Sequence, residues 1–102
     1  MDKVAALSEI LATNPTDSFA RYALAMAYSA EGKNNEALKE YETITDNNPD
    51  YVPAYQMSAQ TLLKLGQTEA AKSRLTAGLA ACERTSNAHA ASEMQAMLDD
   101  LV

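Results

Sequence analysis

Apolar residues recur at spacings of three and four along this chain, and short polar stretches interrupt them. From about Lys3 to Thr13, for example, Val4, Leu7, Ile10 and Leu11 fall on one face. This is the spacing of an amphipathic helix. Five later stretches repeat the pattern, and no stretch alternates between apolar and polar residues as a strand does. The sequence therefore predicts about six helices and an all-α fold.

Helix breakers and capping residues mark where these helices end and begin. Gly32 and Gly66 follow the second and fourth apolar stripes, where a residue with positive φ commonly ends a helix. We expect side-chain acceptors to cap the free N–H groups at each helix start. The candidates are Thr16 or Asp17 for the second helix, Asn34 or Asn35 for the third, Asp50 for the fourth, Thr68 for the fifth, and Ser86 or Asn87 for the sixth.

The whole pattern repeats with a period of 34 residues. The recurring pairs are Asn14-Pro15 and Asn48-Pro49, Gly32 and Gly66, Ile10 and Ile44, Ala20 and Ala54, Ala25 and Ala59, and Ala37 and Ala71. A fixed period of this length indicates a helical repeat array, in which each unit buries its apolar face against its neighbours. Such arrays offer surfaces for other molecules and seldom carry out chemistry.

These positions resemble the tetratricopeptide repeat family, whose unit consists of two antiparallel helices, A and B. The family pattern is matched at Leu24, Ala25, Tyr28, Gly32, Ala37, Tyr41 and Pro49, and again at Tyr55, Ala59, Leu62, Gly66, Ala71 and Leu75. Arg21 departs from the pattern where an aromatic residue is usual, Ser58 departs where leucine is usual, and Gly78 is smaller than the usual alanine. The resemblance implies a short right-handed superhelix of stacked A and B helices.

The same resemblance divides residues 1–102 into parts of a single domain. Residues 1–17 are similar to the B helix of a partial unit, 18–51 and 52–85 to full units, and 86–102 to a C-terminal capping helix. Strict counting puts Glu93 at a buried small-residue position. A shift of one residue instead buries Ala90, Met94 and Met97, and we adopt this shifted register as the prediction.

Charge and cysteine content narrow the classes of partner. The 102 residues carry a net charge of −6, which disfavours nucleic acid and gives no attraction to an anionic membrane. The single cysteine, Cys82, allows no internal disulfide, which fits a reducing compartment. The start, Met1-Asp2-Lys3-Val4, lacks the apolar run of a signal peptide. We therefore expect a cytoplasmic protein that binds neither nucleic acid nor membranes.

No spacing of residues indicates catalysis. His89 has no cysteine or second histidine near it in the sequence, so no metal site is expected. Cys82 has no histidine partner and is expected to be a semi-buried structural residue. Glu36 and Glu40 are four residues apart and are expected to be solvated. The prediction is a non-enzymatic protein without a metal or cofactor.

The family's usual binding surface is the concave face lined by the A helices, and the resemblance implies which residues line it here. They are Phe19, Tyr22, Met26 and Ser29 from the first full unit, and Gln56, Gln60, Leu63 and Lys64 from the second. Phenylalanine, tyrosine and methionine can anchor a ligand, and glutamine can bond an extended backbone. The implied function is a scaffold or adaptor that binds a peptide or a helix. The alternative is that the N-terminal helix or their own mutual contacts cover Phe19, Tyr22 and Met26.

Some family members hold the C-terminal carboxylates of chaperones with a clamp of lysine, asparagine and arginine side chains. Tyr22, Met26 and Met57 stand at clamp positions here. Because these side chains cannot form charge-assisted bonds to a carboxylate, no clamp activity is expected.

Self-association is the alternative function. The N-terminal helix has no A helix before it, so its apolar face is wider than one neighbour covers. Ala91 and Leu98 likewise lie beside the main stripe of the last helix. Either surface could pair with a copy of itself to give a homodimer.

Overall fold

The computed structural model describes residues 2–101, and over that range it contains six α-helices and no strands. The helices are α1 (Lys3–Thr13), α2 (Ser18–Ala30), α3 (Asn34–Asn47), α4 (Val52–Lys64), α5 (Thr68–Thr85) and α6 (Ala88–Asp99). Met1 and Val102, the ends of the predicted domain, lie outside the described residues. The predicted all-α helical repeat fold is confirmed.

Two of the predicted caps are present, together with both predicted glycine stops. The carboxylate of Asp17 accepts a hydrogen bond from the backbone N–H of Ala20 at 3.0 Å, and the amide oxygen of Asn87 accepts one from Ala90 at 3.1 Å. Gly32 and Gly66 have φ values of +76° and +74° after α2 and α4. Because side chains other than hydrogen disfavour this conformation, glycine suits both turns.

The predicted caps of α3, α4 and α5 are wrong. The residues at the cap positions are Lys33, Tyr51 and Gln67, and none forms a side-chain capping hydrogen bond. Asn34 and Thr68 are already the first residues of α3 and α5, so neither can occupy the cap position that precedes its helix. Asp50 lies too early in the chain, and its Oδ1 instead accepts a hydrogen bond from Nε of Arg84 at 2.7 Å.

Three apolar clusters hold the stack together. The first cluster joins α1 and α2 through Leu11, Ala20 and Leu24. The second cluster joins α2, α3 and α4 through Ala25, Ala37, Tyr41, Ile44 and Ala54. The third cluster joins α4, α5 and α6, with Leu75, Ala59 and Met94 among its fully buried members. Each helix thus packs on its chain neighbours, as short loops require.

Small side chains lie where successive helices pack most closely. Ala25, Ala37, Ala59 and Ala71 are all fully buried, so a larger residue at any of them would push helices apart. Gly78 in α5 is tighter still, because a Cβ atom there would lie 2.8 Å from Cβ of Tyr55. Glycine therefore replaces the usual alanine at residue 78 because α4 lies too close to α5 there to leave room for a Cβ atom.

An ion pair between α2 and α3 explains why arginine replaces the usual aromatic residue near the start of α2. Nη1 of Arg21 lies 2.6 Å from Oε1 of Glu40, and both side chains are largely buried. Nη2 of Arg21 donates a second hydrogen bond to the carbonyl of Pro15 at 2.9 Å. The expectation that Glu40 is solvated is therefore wrong, because the sequence spacing of the two residues hides their contact.

A second arginine links α3, α4 and α5. Nε of Arg74 donates to Oγ of Ser58 at 3.0 Å, and Nη2 donates to Oγ1 of Thr45 at 2.9 Å. The guanidinium carbon lies 4.8 Å from the ring centre of Tyr55, a cation–π distance. A leucine at position 58 would leave one donor without its acceptor, so this departure from the family pattern also has a structural cause.

The last helix adopts the shifted register. Ala90 and Met94 are buried, Met97 is half-buried and Glu93 is exposed. The opposite face of α6 carries Ser92, Glu93 and Gln95 toward solvent. A polar outer face of this kind is what a terminal helix of a repeat array requires.

Candidate protein-binding surface

The α2 side of the predicted surface presents two accessible apolar side chains. Phe19 is 77% exposed and Met26 is 40% exposed, whereas Tyr22 and Ser29 are half-buried. Spacings of three and four residues place all four on one face of α2. The alternative that these residues are covered is therefore wrong for Phe19 and Met26, and it holds in part for Tyr22.

A cluster of three tyrosines, Tyr22, Tyr41 and Tyr51, packs behind this face on the side of α3 and α4. The ring of Tyr22 lies 5.9 Å from that of Tyr41 and 5.7 Å from that of Tyr51, with tilted planes in both pairs. The hydroxyl of Tyr41, itself fully buried, donates to Sδ of Met26 at 3.2 Å. Residues of α3 and of the loop before α4 therefore fix the positions of Tyr22 and Met26.

Sequence reasoning missed the contribution of Tyr51. It is the residue directly before α4 and lies outside the helices, so no helical periodicity drew attention to it. The available signal was an aromatic residue next to a helix start that follows the repeated Asn-Pro pair.

The α4 side of the surface is more polar. Gln60 and Lys64 are exposed, whereas Gln56 and Leu63 are half-buried. Leu63 packs against the third cluster, so part of its side chain serves the fold. This side thus offers amide donors and acceptors and one ammonium group. The eight predicted residues include no carboxylate.

Burial changes the acidity of the supporting tyrosines. The pKa of Tyr41 is raised to about 12, mainly because the phenol is removed from water and secondly because Tyr22 lies nearby. The pKa of Tyr22 is also raised, mainly by burial and secondly by the nearby Tyr51. Both phenols therefore resist ionisation in the folded chain.

Alkaline pH is expected to destabilise the fold through Tyr41. Its pKa is near 10 when unfolded and about 12 when folded, so above pH 10 the unfolded state loses the proton first. At pH 11 the free energy of unfolding should be about 1.4 kcal/mol lower than at pH 9 from this group alone. Urea unfolding at both pH values measures the change. The Tyr41→Phe variant should lose this part of the pH dependence; an identical pH dependence would contradict the assignment.

The surroundings of Cys82 and His89, the other residues considered for chemistry, are those of ordinary structural and surface residues. Cys82 is buried, and that burial raises the pKa of its thiol, which leaves less of the reactive thiolate. His89 is exposed, with Nε2 3.7 Å from a carboxylate oxygen of Glu93. In residues 2–101, no three histidine, cysteine or acidic side chains converge as metal ligands. None of the helices in that range is long and apolar enough to cross a membrane.

Comparison with known proteins agrees with the helical repeat fold. A family model described as tetratricopeptide repeat matches residues 4–59 and also 30–98. A tetratricopeptide repeat domain protein from Salinibacter ruber is 26% identical, with 83% of this chain and 94% of that one covered and a TM-score of 0.78. No curated protein matches the chain.

Two structures of complexes have similar folds. The TPR2B domain of yeast Sti1, in a complex with pHsp70, is 20% identical over 96% of this chain and 78% of that one, with a TM-score of 0.87. PcrH, in complex with the chaperone binding region of PopD, is 17% identical over 96% of this chain and 74% of that one, with a TM-score of 0.88. At these identities the likeness shows the fold alone.

Proposed function

Because this chain belongs to the tetratricopeptide repeat family, we propose that it is a non-enzymatic scaffold or adaptor that binds a peptide or helix across α2 and α4. Residues 18–51 and 52–85 act as the binding units, with 1–17 as a partial unit and 86–102 as a cap. The observation that carries the proposal is the exposure of Phe19 and Met26 on α2 and of Gln60 on α4. The complexes of Sti1 and PcrH are consistent with this use of the fold.

The shape of the surface favours binding with little rearrangement. Tyr41 and Tyr51 hold Tyr22, and Tyr41 also holds Met26. Side chains that are already positioned lose less conformational freedom on binding. The side chain of Phe19 is 77% exposed, so a ligand can bury most of its ring.

The chemistry of the surface points to a ligand with apolar anchors. Met26 and the half-buried Met57 stand at clamp positions, and neither can pair with a carboxylate. The ligand is therefore held by its side chains and backbone rather than by a terminal carboxylate. The net charge of −6 supports a protein partner rather than nucleic acid or an anionic membrane. The proposal also places the protein in the cytoplasm.

Truncation of Phe19 is expected to weaken peptide binding about 10- to 100-fold, because a largely exposed aromatic side chain would lose its buried contact with the ligand. A peptide selected from a random library on the full chain serves as the probe, and fluorescence anisotropy measures its affinity. Phe19→Ala should leave the urea midpoint nearly unchanged, since the side chain is 77% exposed.

A matched pair of glutamine variants tests the α4 side. Gln60→Ala should lower the affinity for the same peptide by about threefold or more. Gln95→Ala should leave that affinity unchanged, because Gln95 lies on the outer face of α6. Equal affinities for the wild type, Phe19→Ala and Gln60→Ala would refute the proposed surface.

Self-association through the last helix has little structural support. Ala91 and Leu98 pack against the third cluster, and the outer face of α6 is polar. Of the two terminal helices, α1 therefore carries the apolar surface that a partner could cover.

A further inference from the structure

An apolar groove lies between α1 and α2 at the N-terminal end of the stack. It has a volume of about 760 Å³, and Leu7, Ala23 and Ala27 are among the side chains that line it. The large apolar side chains left exposed in residues 2–101 are Ile10, Phe19 and Met26. Met26 lines the groove, while Phe19 shares a helix face with Ala23 and Ile10 shares one with Leu7.

The repeat itself shows what fills such a groove. The equivalent groove between α3 and α4 is occupied by α2, which completes the second cluster. The groove between α5 and α6 is occupied by α4, which completes the third cluster. Among the described residues, the first cluster contains two helices where the others contain three.

Residues related by the 34-residue period show the difference directly. Tyr41 and Thr61 are buried, at 0% and 2% exposure. Their counterparts one period earlier, Leu7 and Ala27, are only half-buried. The groove thus continues the helix-stacking interface of the chain, and no helix within residues 2–101 covers it.

We propose that this groove accepts one amphipathic α-helix, of net positive charge, from another protein. The helix lies parallel to α2, as α2 does to α4 in the repeat. It presents a small or apolar stripe to Leu7 and Ala27. This site shares Met26 with the proposed peptide-binding surface but includes no residue of α4, and it does not depend on the proposed function.

Charge favours a basic helix. The lining carries Asp2 and Glu31 against Lys3, and Lys33 already pairs with Glu31 at 3.2 Å. The charges at this end of the groove therefore nearly balance, and the preference comes from the helix dipole and from the chain as a whole. A helix parallel to α2 has its own C-terminal turn at this end, where lysine or arginine also complements the helix dipole. The chain as a whole carries −6, which attracts a basic partner and opposes pairing of two copies.

Shape also disfavours a second copy. Two copies related by a twofold axis would place one concave groove against another and leave the space between them unfilled. In a head-to-tail arrangement the outer face of α6 would have to enter the groove, but this face carries Ser92, Glu93 and Gln95. Neither arrangement supplies the apolar ridge that the groove requires.

A peptide with the sequence of residues 52–65 is a suitable probe, because this segment includes α4, which fills the equivalent groove at α5 and α6. It carries one positive charge, from Lys64 in its last turn. A hydrocarbon staple replacing Gln56 and Gln60, four residues apart on its exposed face, keeps this short peptide helical. Fluorescence anisotropy with the full chain measures its affinity.

The expected dissociation constant is about 100 μM or tighter. Ala27→Gln, which places a long side chain in the groove, should weaken binding at least about tenfold. Ala12→Gln is the matched control, since Ala12 is exposed on α1 and lies away from the groove. Ala30→Gln, at an exposed lining residue, should also weaken binding if Ala27→Gln proves unstable.

Three results would overturn the proposal. One is the absence of binding at millimolar chain concentration. Another is equal affinity for the wild type and for folded Ala27→Gln and Ala30→Gln variants. The third is a dimer in light scattering that Ala27→Gln converts to a monomer, because this would assign the groove to a second copy.

Discussion

Replacing Tyr41 by alanine is expected to lower the free energy of unfolding by about 3–5 kcal/mol, the usual cost of truncating a buried aromatic side chain. Tyr41 is fully buried in the second cluster, where it joins α2, α3 and α4. Its ring packs on Tyr22 and its hydroxyl donates to Met26. Urea denaturation followed by circular dichroism measures the loss. Domains of this size have only about 5–15 kcal/mol of stability, so the variant should be close to unfolding.

Tyr41→Phe separates the ring from its hydroxyl. It should cost only about 0.5–1.5 kcal/mol at pH 7, because it removes a single hydrogen bond to sulfur and keeps the packing. A loss below about 1.5 kcal/mol for Tyr41→Ala would mean that the ring does not join the three helices.

Replacing Met94 by alanine is expected to lower the free energy of unfolding by about 2–5 kcal/mol. Met94 is fully buried in the third cluster, and its sulfur lies beside Gly78 of α5. The shorter side chain would leave a cavity between α4, α5 and α6. The same urea experiment measures the effect.

Met97→Ala is the matched control, because the same side chain three residues later is only half-buried. It should cost clearly less than Met94→Ala. The reverse order would indicate that α6 packs in a different register and that Met97 faces the core.

The number and order of the helices could be predicted because local signals and the period agree. Gly32 and Gly66 end helices in positive-φ turns, and the alanines of the 34-residue period are buried where helices pack closely. Agreement between local conformation and packing is what makes a sequence specify one fold.

The caps and the polar links could not be predicted as well, because they depend on residues distant in the chain. Asp50 is bound to Arg84, which lies 34 residues later. Arg21 reaches Glu40 on the next helix, and Arg74 reaches Ser58 on the preceding one. A local rule such as capping takes no account of these partners.

The candidate surface was predictable as a face but not in detail. The resemblance indicated Phe19 and Met26, both of which are exposed. It did not indicate that Tyr51 supports Tyr22 or that Leu63 belongs partly to the core. The N-terminal groove follows from the packing of α1 on α2, where no third helix from residues 2–101 joins them, and a pattern within one helix cannot show this.

The most direct test of the binding surface is a titration of the ¹⁵N-labelled chain with the library-selected peptide, followed by NMR. The largest amide shifts are expected in residues 19–29 of α2 and 56–64 of α4. Shifts confined to the outward faces of α3 and α5 would contradict this expectation and would place the partner on the opposite layer of helices.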